Sequence, residues 1–337
     1  MLSIPQDRRC ALIAGLRTPF ARSGTVFRDV PATALARAAA RELLYRAELD
    51  GREVDQVIFG QVIQSVLAPN VAREVSLLPQ FPRTIPAYSI NRACASSAQA
   101  VADAHDQIIQ GNADVILAGG VESLSDVPIL HSNGMRRILM DAGKAKTLGQ
   151  RLAAFARIRP RDLIPITPAI SEPSTGETMG QSAEKMAKEN GITRRAQDEC
   201  ALMSHQRAAA ATTNGRLTAE IAPWFGGRGM DEIVRSDNGI RTDTSLEALS
   251  ALKPVFDRRY GTVTAGNSSP LTDGASAVIL MADAKARALG YKPLAYVRSY
   301  AVAAVDPGWQ LLMAPAVAVP LALKRAGLAW KEIGVLE

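Results

Sequence analysis

Cysteine, histidine and aromatic residues are scarce in this sequence, and long apolar runs are missing. Only Cys10, Cys94 and Cys200 occur in 337 residues, too few and too widely spaced for a disulfide framework or a structural zinc site. A reducing, cytoplasm-like compartment is therefore expected, with no bound metal. Aromatics make up 5% of the chain and no Lys/Arg stretch is interleaved with them, which argues against nucleic acid as a partner. No apolar stretch approaches the ~18 residues of a membrane-spanning helix. The first residues carry Asp7, Arg8 and Arg9 ahead of a short apolar run that ends at Arg17, a pattern too short for a signal peptide. The pair Gly119-Gly120 is not embedded in a GxGxxG or P-loop signature, so nucleotide-binding folds of those kinds have little support.

What is present is an ordinary globular composition: 47% apolar, 21% charged, and a formal net charge of +6. The length predicts two domains or more. The modest positive charge is compatible with an anionic cofactor or lipid. It is concentrated in Met135–Asp162, where eight Lys/Arg stand against Asp141 and Asp162. A solvated helical face is the plain reading of that segment.

Apolar runs and breakers predict a layered α/β domain. Cys10–Leu16 reads as a buried strand before the Arg17-Thr18-Pro19 turn, and Pro31 as the start of a helix reaching about Ala47. Val54–Ile63 is strand-like, Asn70–Leu78 a short helix, and Tyr88–Ala93 extended into Cys94. Ser96–Ile109 has helical spacing with a cap at Gly111, and Ala113–Gly120 is another buried strand. From Ser123 to about Leu252 the pattern loosens and reads as an insertion with helices at 182–190 and 194–213. Gly274–Ala282 suits a central strand, and Leu294–Val305 a further one. The expected divisions are residues 1–122, 123–251, 252–283 and 284–337.

A faint repeat links Arg41–Phe59 to Leu321–Glu337. With Leu328 on Leu49, Lys331-Glu332-Ile333 falls on Arg52-Glu53-Val54. The second copy reaches Glu337 inside its expected second strand, so a longer parent chain is expected.

Cys94 is the sharpest candidate for chemistry. It lies between a strand end and a helix start, where backbone N–H groups stabilise anions and favour thiolate. Its neighbours Ala93, Ala95, Ser96 and Ser97 are small enough to admit a bulky thioester. A buried inert thiol is the alternative, and it suits Cys10 and Cys200 better. A nucleophilic cysteine needs a base. His105 stands eleven residues along the same helix, about three turns away, and His131 and His205 lie in the insertion. The loop Gly261–Gly274, rich in small hydroxyl residues, and Gly180 could admit a long polar ligand arm or simply form turns.

Together with these stretches, Arg17-Thr18-Pro19-Phe20, Ala93-Cys94, Ala118-Gly119-Gly120-Val121-Glu122, Glu177-Thr178-Met179-Gly180, Gly261-Thr262-Val263-Thr264-Ala265 and Leu271-Thr272-Asp273-Gly274-Ala275 resemble the thiolases. The resemblance is nearest to the degradative 3-ketoacyl-CoA type of the trifunctional complex β-subunit, and its motifs run along the whole chain. It implies two similar five-stranded βαβαβαββ halves in an αβαβα arrangement, with a loop domain inserted in the first and the second incomplete. It implies thiolytic cleavage of a 3-ketoacyl-CoA by coenzyme A, a co-substrate rather than a resident cofactor, through an acyl group on Cys94.

By position, Ser269, Met179 and Ala265 would border the pantetheine arm. Ser97 departs from the Gly of many members. The family's Asn/His-Glu-Ala-Phe, Gly-His-Pro and second-Cys motifs are not found in the sequence, so residues 1–337 alone are expected to carry out no thiolysis. The resemblance further implies a homodimer or tetramer and a hydratase/dehydrogenase α-subunit as partner. It also gives Met135–Asp162 a role as an interfacial amphipathic helix at a membrane or partner. Two other readings are an acetoacetyl-CoA (biosynthetic) thiolase and a non-catalytic acyl-CoA- or lipid-binding relative.

Overall fold

The computed structural model describes residues 5–166, 171–226 and 232–337. Its first part alternates strand and helix as the apolar runs dictate: β1 (Cys10–Arg17), β2 (Ala21–Arg22), α1 (Ala32–Arg46), β3 (Gln56–Gly60), α2 (Val71–Ser76), β4 (Ala87–Ile90), α3 (Ser96–Ile109) and β5 (Val115–Glu122). Helix α1 follows Pro31, whose fixed φ suits a helix entrance, and it buries Leu35, Ala36, Ala39, Ala40, Leu43 and Leu44. Asn70 caps α2 by accepting from Arg73 N, and α3 is followed by Gly111 at φ 78°.

Residues 123–251 hold α4 (Asn133–Lys144), α5 (Leu148–Phe155), α6 (Met179–Glu189), α7 (Arg194–Thr213), α8 (Arg216–Glu220), the paired short strands β6 (Trp224–Gly226) and β7 (Glu232–Val234), and α9 (Leu246–Ser250). The chain then re-enters the sheet as β8 (Thr272–Ala282) and continues through α10 (Asp283–Ala288), β9 (Ala295–Tyr296), α11 (Pro307–Gln310) and α12 (Ala314–Ala326).

The sheet order is β4-β3-β5-β8-β1-β9, with β2 attached to β8. Three strands, β1, β5 and β8, have eight residues or more, β3 and β4 have five and four, and β2 and β9 add two residues each. Strands β3, β4 and β5 are mutually parallel, whereas β8 runs antiparallel between β5 and β1. The run Gly274–Ala282 therefore earns its central place by being covered on both faces. Alternate side chains feed two cores. Val57, Phe59, Leu117, Ile279 and Met281 meet α1 and α2, and Ile58, Ile116, Ala118 and Leu280 meet Ala100, Ala104 and Ile108 of α3.

The repeat is visible in the backbone. After α1, Glu48 adopts φ 52° and Leu49 N donates to Leu44 O at 3.1 Å; after α12, Gly327 adopts φ 67° and Leu328 N donates to Leu323 O at 3.0 Å. Each left-handed cap is followed by a 3₁₀ turn, Gly51–Glu53 in one copy and Trp330–Glu332 in the other.

Two local expectations change. The strand expected over Leu294–Val305 is only β9, because its ladder partner β1 begins at Cys10, which accepts from Val297 N. Beyond it the chain leaves the sheet for α12: the Arg298 guanidinium donates to Ala326 O and Ser299 Oγ to Ala322 O. The segment Met135–Asp162 is not one amphipathic helix but two, α4 and α5, followed by a 3₁₀ turn (Pro160–Leu163). Met135 and Ile138 are buried inside it, while Leu139, Met140, Leu148 and Leu152 face outward.

Candidate functional site

The carboxyl ends of the parallel strands β3, β4 and β5 open at one edge of the sheet, the usual place for a ligand crevice in an α/β layer. Cys94 lies there, exposed, in the tight link between β4 and α3. Two glycines let that link sit on the strand ends. A Cβ on Gly60 would stand 2.4 Å from Ser96 C, and one on Gly120 would stand 2.5 Å from Ser97 Cβ. The link itself is strained, since Ala93 adopts φ 44°, a left-handed conformation uncommon for a residue with a Cβ. Ala93 N donates to Asn91 Oδ1 at 3.1 Å, and Ser96 Oγ donates to Ala93 O at 2.6 Å while accepting from Arg92 N at 2.8 Å.

Cys94 borders a cavity of about 610 Å³. Phe20, Val62, Ile63, Val121 and Leu124 supply apolar wall, and Glu122 and Ser269 supply polar groups. An apolar cleft with few convergent polar groups suits a thioester with an acyl chain. Glu122 accepts from Val62 N at 2.9 Å and from Ile63 N at 3.2 Å. Its pKa is raised above the ordinary carboxylate value, chiefly by burial, against the opposing effect of those two N–H groups. Gln61, also on the wall, sends Nε2 to Ile63 O at 2.9 Å, and its buried Oε1 has no hydrogen-bond partner among the described residues.

The structure brings Cys94 and Ser269 to one cavity. Ala265 and Met179 are outside its lining: Ala265 is exposed on the 261–269 loop, and Met179 opens α6 beside the capping box of Thr178 and Gln181. That loop is fastened from beneath. The buried Glu184 accepts from Thr262 N and Oγ1 and from Val263 N, and Asn267 Nδ2 donates to the buried Asp198.

The other cysteines and the histidines stand elsewhere. Burial pushes the Cys10 thiol up to about 12, and Cys200 is exposed on α7. His105 is buried in α3, with Nδ1 on Asp106 and its ring edge-on to Tyr300, and His205 accepts from Arg241 N. Sequence reasoning missed Glu122, Gln61, Asn91, Glu184 and Asp198. Only Glu122 carried a signal, an acid closing an apolar strand beside the glycine pair.

Comparisons with known proteins identify the chain's relatives. The model of the thiolase N-terminal domain matches residues 10–284, and that of the thiolase C-terminal domain matches residues 291–337. A 3-ketoacyl-CoA thiolase of Pseudoalteromonas translucida is 44% identical over 342 residues, covering 100% of this chain and 77% of the relative. One from Escherichia coli is 47% identical over 332 residues, covering 98% and 76%. Among solved structures, human mitochondrial 3-ketoacyl-CoA thiolase superposes with a TM-score of 0.83 at 32% identity, covering 98% of this chain and 79% of that one. The Bacillus anthracis acetyl-CoA acetyltransferase gives 0.82 at 32%, covering 97% and 78%. With family models spanning nearly all of its length and relatives this similar, the chain belongs to the thiolase family.

Proposed function

We propose that Cys94 is the nucleophile of a 3-ketoacyl-CoA thiolase, an acyltransferase that uses coenzyme A as co-substrate. The observation that carries this reading is the position of Cys94 at the start of α3, on the strand ends, in an apolar cavity. Its similarity to relatives named 3-ketoacyl-CoA thiolase, and to a human mitochondrial 3-ketoacyl-CoA thiolase solved with CoA, supports the substrate class.

The Cys94 thiolate attacks C3 of the 3-ketoacyl-CoA, and the C2–C3 bond breaks with its electron pair passing to C2. The acetyl-CoA enolate so formed takes up a proton, balanced by the one that the second coenzyme A gives up on forming its thiolate. The thiolate of a second coenzyme A then attacks the acyl carbon, and the bond to Cys94 breaks to return the thiolate. The start of α3 presents the sulfur to the cavity, and the apolar walls receive the acyl chain. Ser269 borders the pantetheine arm, with Met179 and Ala265 farther along it. Among the described residues no imidazole and no second thiol lines the cavity, so the step this chain carries is acyl transfer to and from Cys94.

We also propose a homo-oligomer in a reducing, cytoplasm-like compartment, which the three free thiols suit. The outward Leu139, Met140, Leu148 and Leu152 of α4 and α5, with Arg136, Arg137 and Arg151 beside them, support contact with a partner subunit or an anionic membrane. Reversing the charge of Arg151, Arg157 and Arg159 is expected to weaken binding to anionic vesicles or to a hydratase/dehydrogenase subunit. Unchanged binding to both would remove that part.

The central reading is tested by intact mass after incubation with octanoyl-CoA. One octanoyl group is expected on the wild type and on Cys200→Ser, and none on Cys94→Ala. An adduct that persists in Cys94→Ala, or none on the wild type, would overturn it. The solved acetyl-CoA acetyltransferase shares the fold, so acyl transfer confined to acetyl-CoA would favour the short-chain alternative.

A further inference from the structure

A line of hydrogen bonds joins the end of β5 to the backbone that presents Cys94. Glu122 accepts from the N–H groups of Val62 and Ile63. Val62 O in turn accepts from Asn91 Nδ2 at 3.1 Å, and Asn91 Oδ1 accepts from Ala93 N at 3.1 Å. Gln61 braces the same loop through Nε2 to Ile63 O, and its N–H donates to Ile90 O at 3.0 Å. Cys94 is the next residue after Ala93.

We propose that Glu122 is a positioning residue for Cys94: its carboxylate fixes the 61–63 loop, and the loop, through Asn91, holds the left-handed turn at Ala93 that presents the thiol to the cavity. The proposal rests on Cys94 being the acyl acceptor. A left-handed alanine costs ~1–3 kcal/mol and persists only where its surroundings over-determine it. Here Asn91 holds its N–H and Ser96 its C=O. Two adjacent N–H donors converge on Glu122, and a carboxylate, acceptor on both oxygens, satisfies both. A glutamine with its oxygen in the Oε2 position would still accept from Val62 N at 2.9 Å but set its NH₂ against Ile63 N, leaving that donor only the 3.4 Å contact.

The full chain contains its own controls for a test. Cys94 reports the site, exposed Cys200 is a surface reference, and buried Cys10 reports folding. In limited labelling with iodoacetamide, read by mass spectrometry, Glu122→Gln is expected to lower the Cys94-to-Cys200 labelling ratio at least about threefold with Cys10 still protected. Acyl transfer from octanoyl-CoA is expected to slow about tenfold at saturation, and in Asn91→Ala, which lies outside the cavity lining, with the half-saturating concentration unchanged, because the thiol is displaced rather than the ligand. Asn91→Ala should give the same loss, and the double variant no more than either alone.

An unchanged ratio with Cys10 protected, or losses that multiply in the double variant, would overturn the proposal. Should Glu122→Gln expose Cys10, the exposed Asn91→Ala decides by itself, an unchanged ratio again counting against it. If wild-type Cys94 accepts no acyl group, the functional reading fails, while the labelling ratio still decides whether Glu122 acts on the thiol.

Discussion

The contact between the strand ends and the first turn of α3 makes a sharp prediction, because two glycines face it in different ways. A Cβ on Gly60 meets backbone, with Ser96 C at 2.4 Å and Ser97 N at 2.5 Å. A comfortable carbon contact is ~3.5 Å, so α3 must retreat by about 1 Å. A Cβ on Gly120 instead meets a side chain, Ser97 Cβ at 2.5 Å and Oγ at 2.9 Å, and its next neighbour is Gly60 O at 3.4 Å. Each Gly→Ala change is expected to cost ~1–3 kcal/mol from overpacking. Each should slow acylation of Cys94 by up to ~100-fold, since the thiol moves with the helix. Ser97→Gly removes the atoms that Gly120→Ala strikes, so the pair should recover stability to within the ~1 kcal/mol of an added helix glycine. It cannot rescue Gly60→Ala. Urea midpoints measure the first quantity and octanoyl transfer to Cys94 the second. Rescue of both glycine variants by Ser97→Gly, or of neither, would refute the reasoning.

Three further outcomes follow from the polar contacts. Arg17 pairs with Asp237 through two nitrogens at 2.7 and 2.9 Å in a largely buried setting. Arg17 also reaches the half-exposed Glu220 at 2.8 Å, so Asp237→Asn should destabilise by ~2 kcal/mol in urea, and Arg17→Met combined with Asp237→Leu by less, since the one charge then left without its partner, Glu220, is solvated. Glu184→Gln should cost ~1 kcal/mol and raise the half-saturating octanoyl-CoA concentration with little change in the saturating rate, because the loop leading to Ser269 loses one of its two acceptor oxygens and Thr262 N meets an NH₂ in its place. Lys188, with backbone N–H groups of Tyr260 and Arg259, lowers the Asp257 pKa from 3.8 to about 2. That contribution to stability is present above about pH 4 and fades as pH falls toward 2. Asp257→Asn should flatten the acid slope of the urea midpoint, and an unaltered slope would count against the pairing.

Much of the fold was legible because local signals agreed with burial. Pro31, the Leu and Ala spacing of α1, and Gly111 after α3 mark helix ends through backbone chemistry that acts within a few residues. The repeat was legible as a weak match around Leu49 and Leu328, and it is conserved as geometry: one cap uses Gly327, the other forces Glu48 to the same left-handed conformation. What misled was context. Leu294–Val305 has the apolar content of a strand, but a strand exists only where a neighbour offers a ladder, and β1 begins at Cys10. The apolar residues of Met135–Asp162 divide between a small core and the outside, a division that periodicity over one assumed helix could not supply.

The site divides along the same line. Cys94 could be singled out because strand, small residues and helix start are consecutive in sequence, and the family motifs surround it. The groups that determine its geometry are not consecutive. Glu122 acts across β5 on residues 62 and 63, and these act on Asn91, so each link joins segments about thirty to sixty residues apart. Nor does any residue type announce the strain at Ala93, which in sequence is an unremarkable alanine. The local code therefore specifies where a nucleophile can sit, and long-range hydrogen bonds specify how it is held. Substitutions that impair Cys94 while leaving the fold intact should therefore be found at Asn91, Ser96 and Glu122, whose side chains make these hydrogen bonds, rather than at Ala95.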